Sequence, residues 1–152
     1  MDTGLSQTSR ENVRGALIKL LADTYAVYIK TQKLHWNVVG REFYSLHILL
    51  EKQYEDLAEV IDETAERIRA LGFTVQATFS HFKQSTSIPE EAEDISTTDM
   101  IKLLIESHDT ILRNGRHLSI LAEKEKDYAT VDMMGKRLAM HEKFAWMLRS
   151  SV

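Results

Sequence analysis

The chain has 152 residues, 43% of them hydrophobic and 28% charged, with six Gly and a single Pro; this is one domain's length, able to bury a sizeable core and poor in the breakers that tight-turned sheets need. Nineteen basic against 23 acidic residues give a formal charge of −4, which excludes a chain-wide electrostatic footprint for nucleic acid. There is no Cys, which excludes disulfides and thiol chemistry and fits a reducing cytosol; residues 1–8 lack the apolar core of a signal peptide, and no apolar run nears the ~20 residues that span a bilayer, so a cytoplasmic protein without a membrane partner is expected.

The first apolar stripe, Val13, Leu17, Leu20, Thr24, Tyr28, Thr31 and His35, alternates steps of three and four and predicts one face of a helix about 30 residues long. Thr8 and Glu11 form a capping box ahead of it, and Gly40 lies past its end. A second stripe runs through Leu46, Leu50, Gln53, Leu57, Val60, Thr64, Ile68 and Leu71 to Gly72. The pattern then lapses as far as Ser96, with room for a short helix over 78–84 and with five carboxylates and no basic residue over 89–99. A third stripe, Ile101, Leu104, His108, Ile111, Gly115, Leu118 and Ala122, takes Ser96 or Thr97 as its cap. The fourth uses Val131, Met134, Leu138, His141, Ala145 and Leu148 after a short connection over 127–130. One long crossover and two short links predict an all-α, ferritin-like four-helix bundle with a short helix between helices two and three. Residues 1–8 form a short tail in this reading and 9–150 a single domain.

The second stripe carries the most informative polar residues. At about 100° per residue, His47, Glu51, Asp62 and Glu66 fall on a single strip of that helix. Asp62 and Glu66 are one turn apart, and such oxygen ligands with neutral imidazoles suit Fe, Zn, Cu or Ni. The turn at Gly40 can bring His35 to the same end as His47. His47 and Asp62, however, are fifteen residues and about 22 Å apart on one rod, too far to share an ion within a chain. If the second helices of two chains lie antiparallel across a two-fold axis, His35 and His47 of one meet Asp62 and Glu66 of the other, twice by symmetry. A site inside the bundle would need Glu-x-x-His pairs, and no Glu here has His three residues later. Taken singly, a helix histidine is more often packing than ligand and an acidic helix more often a solvated face, so spacing alone leaves both readings open. His81, His108, His117 and His141 are read as ordinary residues, those on the stripes as satisfied core or interface histidines; Met133, Met134, Met140 and Met147 are read as core filler.

The strings Lys33-Leu34-His35-Trp36-Asn37-Val38-Val39-Gly40, Phe43 with Leu46-His47, and Asp62 with Ala65-Glu66-Arg67 and Leu71-Gly72 together resemble the Dps family, the miniferritins named as DNA-binding proteins from starved cells. The resemblance covers essentially the whole chain, since Asp127, Asp132, His141-Glu142-Lys143 and Trp146-Met147-Leu148 are similar to the family's last helix. It implies a di-iron ferroxidase site formed by His35 and His47 with Asp62 and Glu66 of a symmetry mate, in which Zn or Mn can stand for Fe. Glu51 occupies a position where members often have Asp and would assist the second iron or early mineral. Trp36 would shield the site or donate electrons, and packing is an equal alternative for that ring. The resemblance further implies a hollow dodecamer that stores ferric mineral, with Asp127 and Asp132 at its three-fold pores.

Open coordination positions at such a site let hydrogen peroxide oxidise two Fe(II) together, avoiding the hydroxyl radical of one-electron reduction. Because imidazoles must be neutral to coordinate, iron binding is expected to fail in mild acid. DNA binding is expected to be weak or absent. The first fifteen residues hold Arg10 and Arg14 against Asp2 and Glu11 with no Lys, and Arg149 is the one charge at the other end. Twelve copies at −4 each carry about −48. A nucleoid-compacting shell and a metal-free interaction bundle are the competing readings.

Overall fold

The computed structural model describes residues 2–91 and 95–152; Glu93 and Asp94 of the acidic stretch, and Met1, lie outside the described residues. Five helices follow in order, α1 (Gln7–Asn37), α2 (Phe43–Ala70), α3 (Phe79–Ser85), α4 (Thr97–Lys124) and α5 (Tyr128–Arg149), and among the described residues there is no strand. The four long helices form the all-α bundle that the periodicity predicts, with the short α3 in the long connection. α1 lies against α2 and α4, α5 against α4, and α2 touches α5 more sparsely.

Every helix start but that of α2 has a side-chain cap. Ser6, Thr78, Ser96 and Asp127 accept from the backbone N–H three residues on, at Ser9, His81, Asp99 and Thr130. This corrects the expected box at Thr8 and Glu11: the Ser6 hydroxyl satisfies an orphan N–H two positions earlier than Thr8 could, so α1 begins at Gln7 and takes in Thr8. The turn between α1 and α2 uses Gly40 at φ +105, a left-handed conformation that suits glycine. At Gly115 an added Cβ would stand 2.9 Å from Met134 Cε and 3.0 Å from Leu138 Cδ2, so α4 and α5 pack closely there and those side-chain tips would have to shift to admit it.

The expected stripes supply the core, with Val13, Leu17, Leu50, Leu57, Ile68, Ile111 and Leu148 wholly buried. Met133 and Met134 are buried as expected. The crossover is tied down by Asp23, a buried carboxylate of α1. It accepts from the hydroxyls of Thr86 and Ser87, the Ser87 N–H and the Asn114 amide, so that α1, the crossover and α4 meet at one anion. Tyr25 stacks on Phe82 at 4.4 Å and seats α3 on α1. Among the described residues no helix is long and apolar enough to cross a membrane.

Candidate metal centre

The last turn of α1 and the second turn of α2 place His35 and His47 together, with ring centroids 3.8 Å apart and planes inclined by 16°. The two residues bond each other's backbone reciprocally: His35 Nδ1 lies 2.9 Å from the His47 carbonyl oxygen, and His47 Nδ1 lies 3.0 Å from that of His35. A carbonyl oxygen can only accept, so both Nδ1 atoms carry hydrogen, and the neutral rings keep their lone pairs on Nε2. A ligand imidazole needs this tautomer, fixed by a hydrogen bond at the other nitrogen. The arrangement follows from the chain. His35 belongs to the final turn of α1, whose carbonyls have no helical partner, and the short Gly40 turn carries α2 back alongside it.

Aromatic groups frame the pair. Phe43 stacks over His47 at 5.2 Å, and Tyr54 meets His35 edge-on at 5.2 Å. Tyr54 lies one further turn pair along α2 from His47, a signal that the sequence held and that spacing of charged ligands alone overlooked. Burial, then the charges of Glu51 and Glu55, push the Tyr54 hydroxyl above its usual range, and Glu51 is its hydrogen-bond partner. Glu51 is half-buried, one turn along α2 from His47.

Asp62 and Glu66 are exposed near the far end of α2, and among the described residues neither is held by a hydrogen bond or an ion pair. The same helix carries His47, so the separation of about 22 Å stands. Among the described residues no three His, Asp or Glu side chains gather within the chain to hold an ion. Exposed apolar side chains surround the histidine end: Trp36 is 68% exposed, Tyr44 76%, and Ile29, Phe43 and Ile48 about half. Trp36 thus has no packing role inside the chain. A cluster of this kind marks a surface that another protein covers.

The remaining acids and cations divide differently from expectation. Asp127 is 2% exposed, pairs with Arg67 at 2.6 Å and caps α5, so it is not free to line a pore. Burial opposes the Asp127 charge, but the bonds from Arg67 and Thr130 prevail and hold its carboxyl below the usual range. Asp132 stays at the surface, bonded to Lys136. Arg10 donates to the Leu71 carbonyl, Arg14 lies 4.9 Å over the Phe73 ring, and Arg149 is the last residue of α5, bonded to Asp109. The terminal cations are thus committed within the chain. His108 and His141 are buried as expected, but they are not satisfied: each Nε2 lacks a partner among the described residues.

Comparison with known proteins gives a consistent picture. The ferritin-like domain family matches residues 14–152. A low temperature-induced protein of Nostoc sp. is 39% identical over all of this chain and 86% of its own length. A DNA protection during starvation protein of Porphyromonas gingivalis is 36% identical over 96% of this chain and 92% of its own. Among solved structures, the Dps protein of Vibrio cholerae O1, described as a member of a broad superfamily of ferritin-like diiron-carboxylate proteins, superposes with a TM-score of 0.90 at 32% identity, covering 96% of this chain and 92% of its own. DpsC from Streptomyces coelicolor gives 0.96 at 28% identity over 99% and 89%.

Proposed function

This chain belongs to the Dps family of ferritin-like proteins, and from that premise we propose that it is a ferroxidase and iron-storage miniferritin, which oxidises Fe(II), preferably with hydrogen peroxide, and keeps the ferric product in a hollow dodecamer in the cytoplasm. The observation that carries the proposal is the reciprocal bonding of His35 and His47, which fixes two imidazoles with both Nε2 lone pairs free at one place. Two neutral nitrogens bind Fe(II) incompletely, and two uncommitted carboxylates, Asp62 and Glu66, are the complement. Those groups lie on one rigid helix, so a second copy laid antiparallel is the arrangement that joins them. The exposed rings of Trp36, Tyr44 and Phe43 supply apolar surface for such an interface. Zn or Mn would compete for the same ligands.

At the joined site the substrates are Fe(II) and peroxide. Two Fe(II) each give one electron, the O–O bond breaks, two protons are taken up, and two Fe(III) and two waters result. Glu51, held at Tyr54, would receive the second iron or the first ferric product. The protection is that no hydroxyl radical is released. DNA binding is weak or absent at physiological salt, because Arg10, Arg14 and Arg149 are engaged within the chain and phosphate affinity follows the number of free cations.

Anaerobic addition of Fe(II) followed by a limiting amount of peroxide tests the proposal. The expected result is about two Fe(II) consumed per peroxide without trapped hydroxyl radical, a reaction lost in the double variant His35→Ala/His47→Ala. Peroxide-dependent oxidation that persists in that variant refutes the assignment.

A further inference from the structure

His108 of α4 and His141 of α5 are both fully buried, and their Nδ1 atoms lie 2.9 Å apart. Two ring nitrogens at that distance share one proton: one ring donates Nδ1–H and the other accepts at a bare Nδ1. The tautomers are therefore opposite, leaving one bare Nε2 and one Nε2–H, neither with a partner among the described residues. Phe144 packs edge-on to both rings, at 5.8 and 6.4 Å. A second proton, taken at the bare Nε2, would place a net charge among apolar side chains with no partner to accept from the new N–H.

The surrounding charges do not help it. Burial is the main reason that His108 is pushed down to about 4. Asp109 favours its charge, yet Asp109 already receives Arg149, which opposes it. Burial likewise drives His141 well below its ordinary value, with His108 and Arg137 adding to the effect. The buried ionisable residues of α1 are Asp23 and His35, the first bonded to Thr86, Ser87 and Asn114 and the second to the His47 carbonyl, and α2 buries none. Of the less buried groups on these helices, Lys30 and Lys33 reach Glu91, Lys52 reaches Asp56, and Tyr54 reaches Glu51.

We propose that the His108–His141 pair is an acid-sensitive latch on the α4–α5 seam: one shared proton ties the two helices together, and a second, at the bare Nε2, buries an uncompensated charge in the seam, so that the bundle loosens as the medium turns acidic. The sign follows from linkage. An unfolded chain protonates its histidines below about pH 6.5, whereas folded His108 resists to about 4. Between those limits the unfolded state binds more protons, so stability falls as pH falls. The unfolding equilibrium shifts by about tenfold per pH unit for each such histidine.

Exchange of the ring C2 hydrogen, read residue by residue by mass spectrometry on the full chain without added metal, tests the latch in the native protein. His108 and His141 are expected to show no titration between about pH 5 and 8. A sigmoid centred near 6.5 for either buried ring overturns the proposal. Urea unfolding against pH supplies the second arm. In His141→Gln the amide oxygen can still accept from His108 Nδ1–H, and the pH dependence of unfolding is expected to weaken by about tenfold per pH unit. An unchanged slope contradicts the latch. If that variant does not fold, the ring exchange on the unaltered chain still decides.

Discussion

The molecule contains two histidine pairs built in opposite senses. At the bundle's end, His35 and His47 stack face to face and give their Nδ1 hydrogens to backbone carbonyls, so both Nε2 atoms remain available. At mid-bundle, His108 and His141 use Nδ1 against Nδ1, and both Nε2 atoms are closed off from water and from any partner among the described residues. The difference lies in where each ring's first hydrogen bond goes. A bond to a carbonyl fixes the tautomer without involving the other ring, which leaves each ring free to bind a cation. A bond to the other ring couples the two, and burial then makes the pair reject positive charge. The acids divide the same way: Asp62 and Glu66 are exposed and uncommitted, whereas Asp23 and Asp127 are buried and fully bonded.

Interchanging the fates of the two pairs is the strongest way to break this comparison. His35→Ala/His47→Ala should lower peroxide-driven Fe(II) oxidation by ~100-fold or more and, by removing a buried ring and two ring-to-carbonyl bonds, cost about 2 kcal/mol in urea. His108→Ala should cost about 3 kcal/mol by cavity and orphaned nitrogen while leaving oxidation per folded molecule unchanged. A loss of oxidation in His108→Ala at full folding would erase the distinction. Among the acids, Asp127→Ala removes a buried partner of Arg67 and the cap of α5, and denaturant unfolding should register a loss of about 3 kcal/mol. Asp62→Ala should cost less than ~0.5 kcal/mol. Because the Asp127 carboxyl is held below its ordinary range, its contribution is present above the unfolded value of about 3.9 and is lost as pH falls through the folded one. It therefore fails at lower pH than the histidine latch, and the two acid phases should separate in a stability profile.

Much of this was legible in the sequence because it is local. The three-four spacing of Val13, Leu17 and Leu20, the acids at Asp62 and Glu66, and the glycine at position 40 act within a few residues of themselves. Local patterns located all five helices and put His35 and His47 at the joined ends of α1 and α2, with Asp62 and Glu66 toward the other end of α2. Tertiary partners were not legible. Asp23 meets Thr86 and Asn114, Arg67 meets Asp127, and His108 meets His141 across chain separations that no periodicity encodes. The reciprocal ring-to-carbonyl bonds of His35 and His47 depend on the exact return angle of one short turn. The smallest effect sharpens the local end of this lesson. Ser6→Ala should lower stability by about 1 kcal/mol and Thr8→Ala by a few tenths at most, in the same unfolding assay, since only Ser6 caps α1.

Mixing two inactive variants tests most directly whether the histidines and carboxylates of different chains complete one site. Chains carrying His35→Ala/His47→Ala are co-assembled in equal amounts with chains carrying Asp62→Ala/Glu66→Ala. Each alone should be inactive. In a mixed pair one of the two sites regains all four ligands, so random pairing should restore about a quarter of the unaltered protein's Fe(II) oxidation. Mixtures that form the same assemblies yet recover no activity would contradict the shared site.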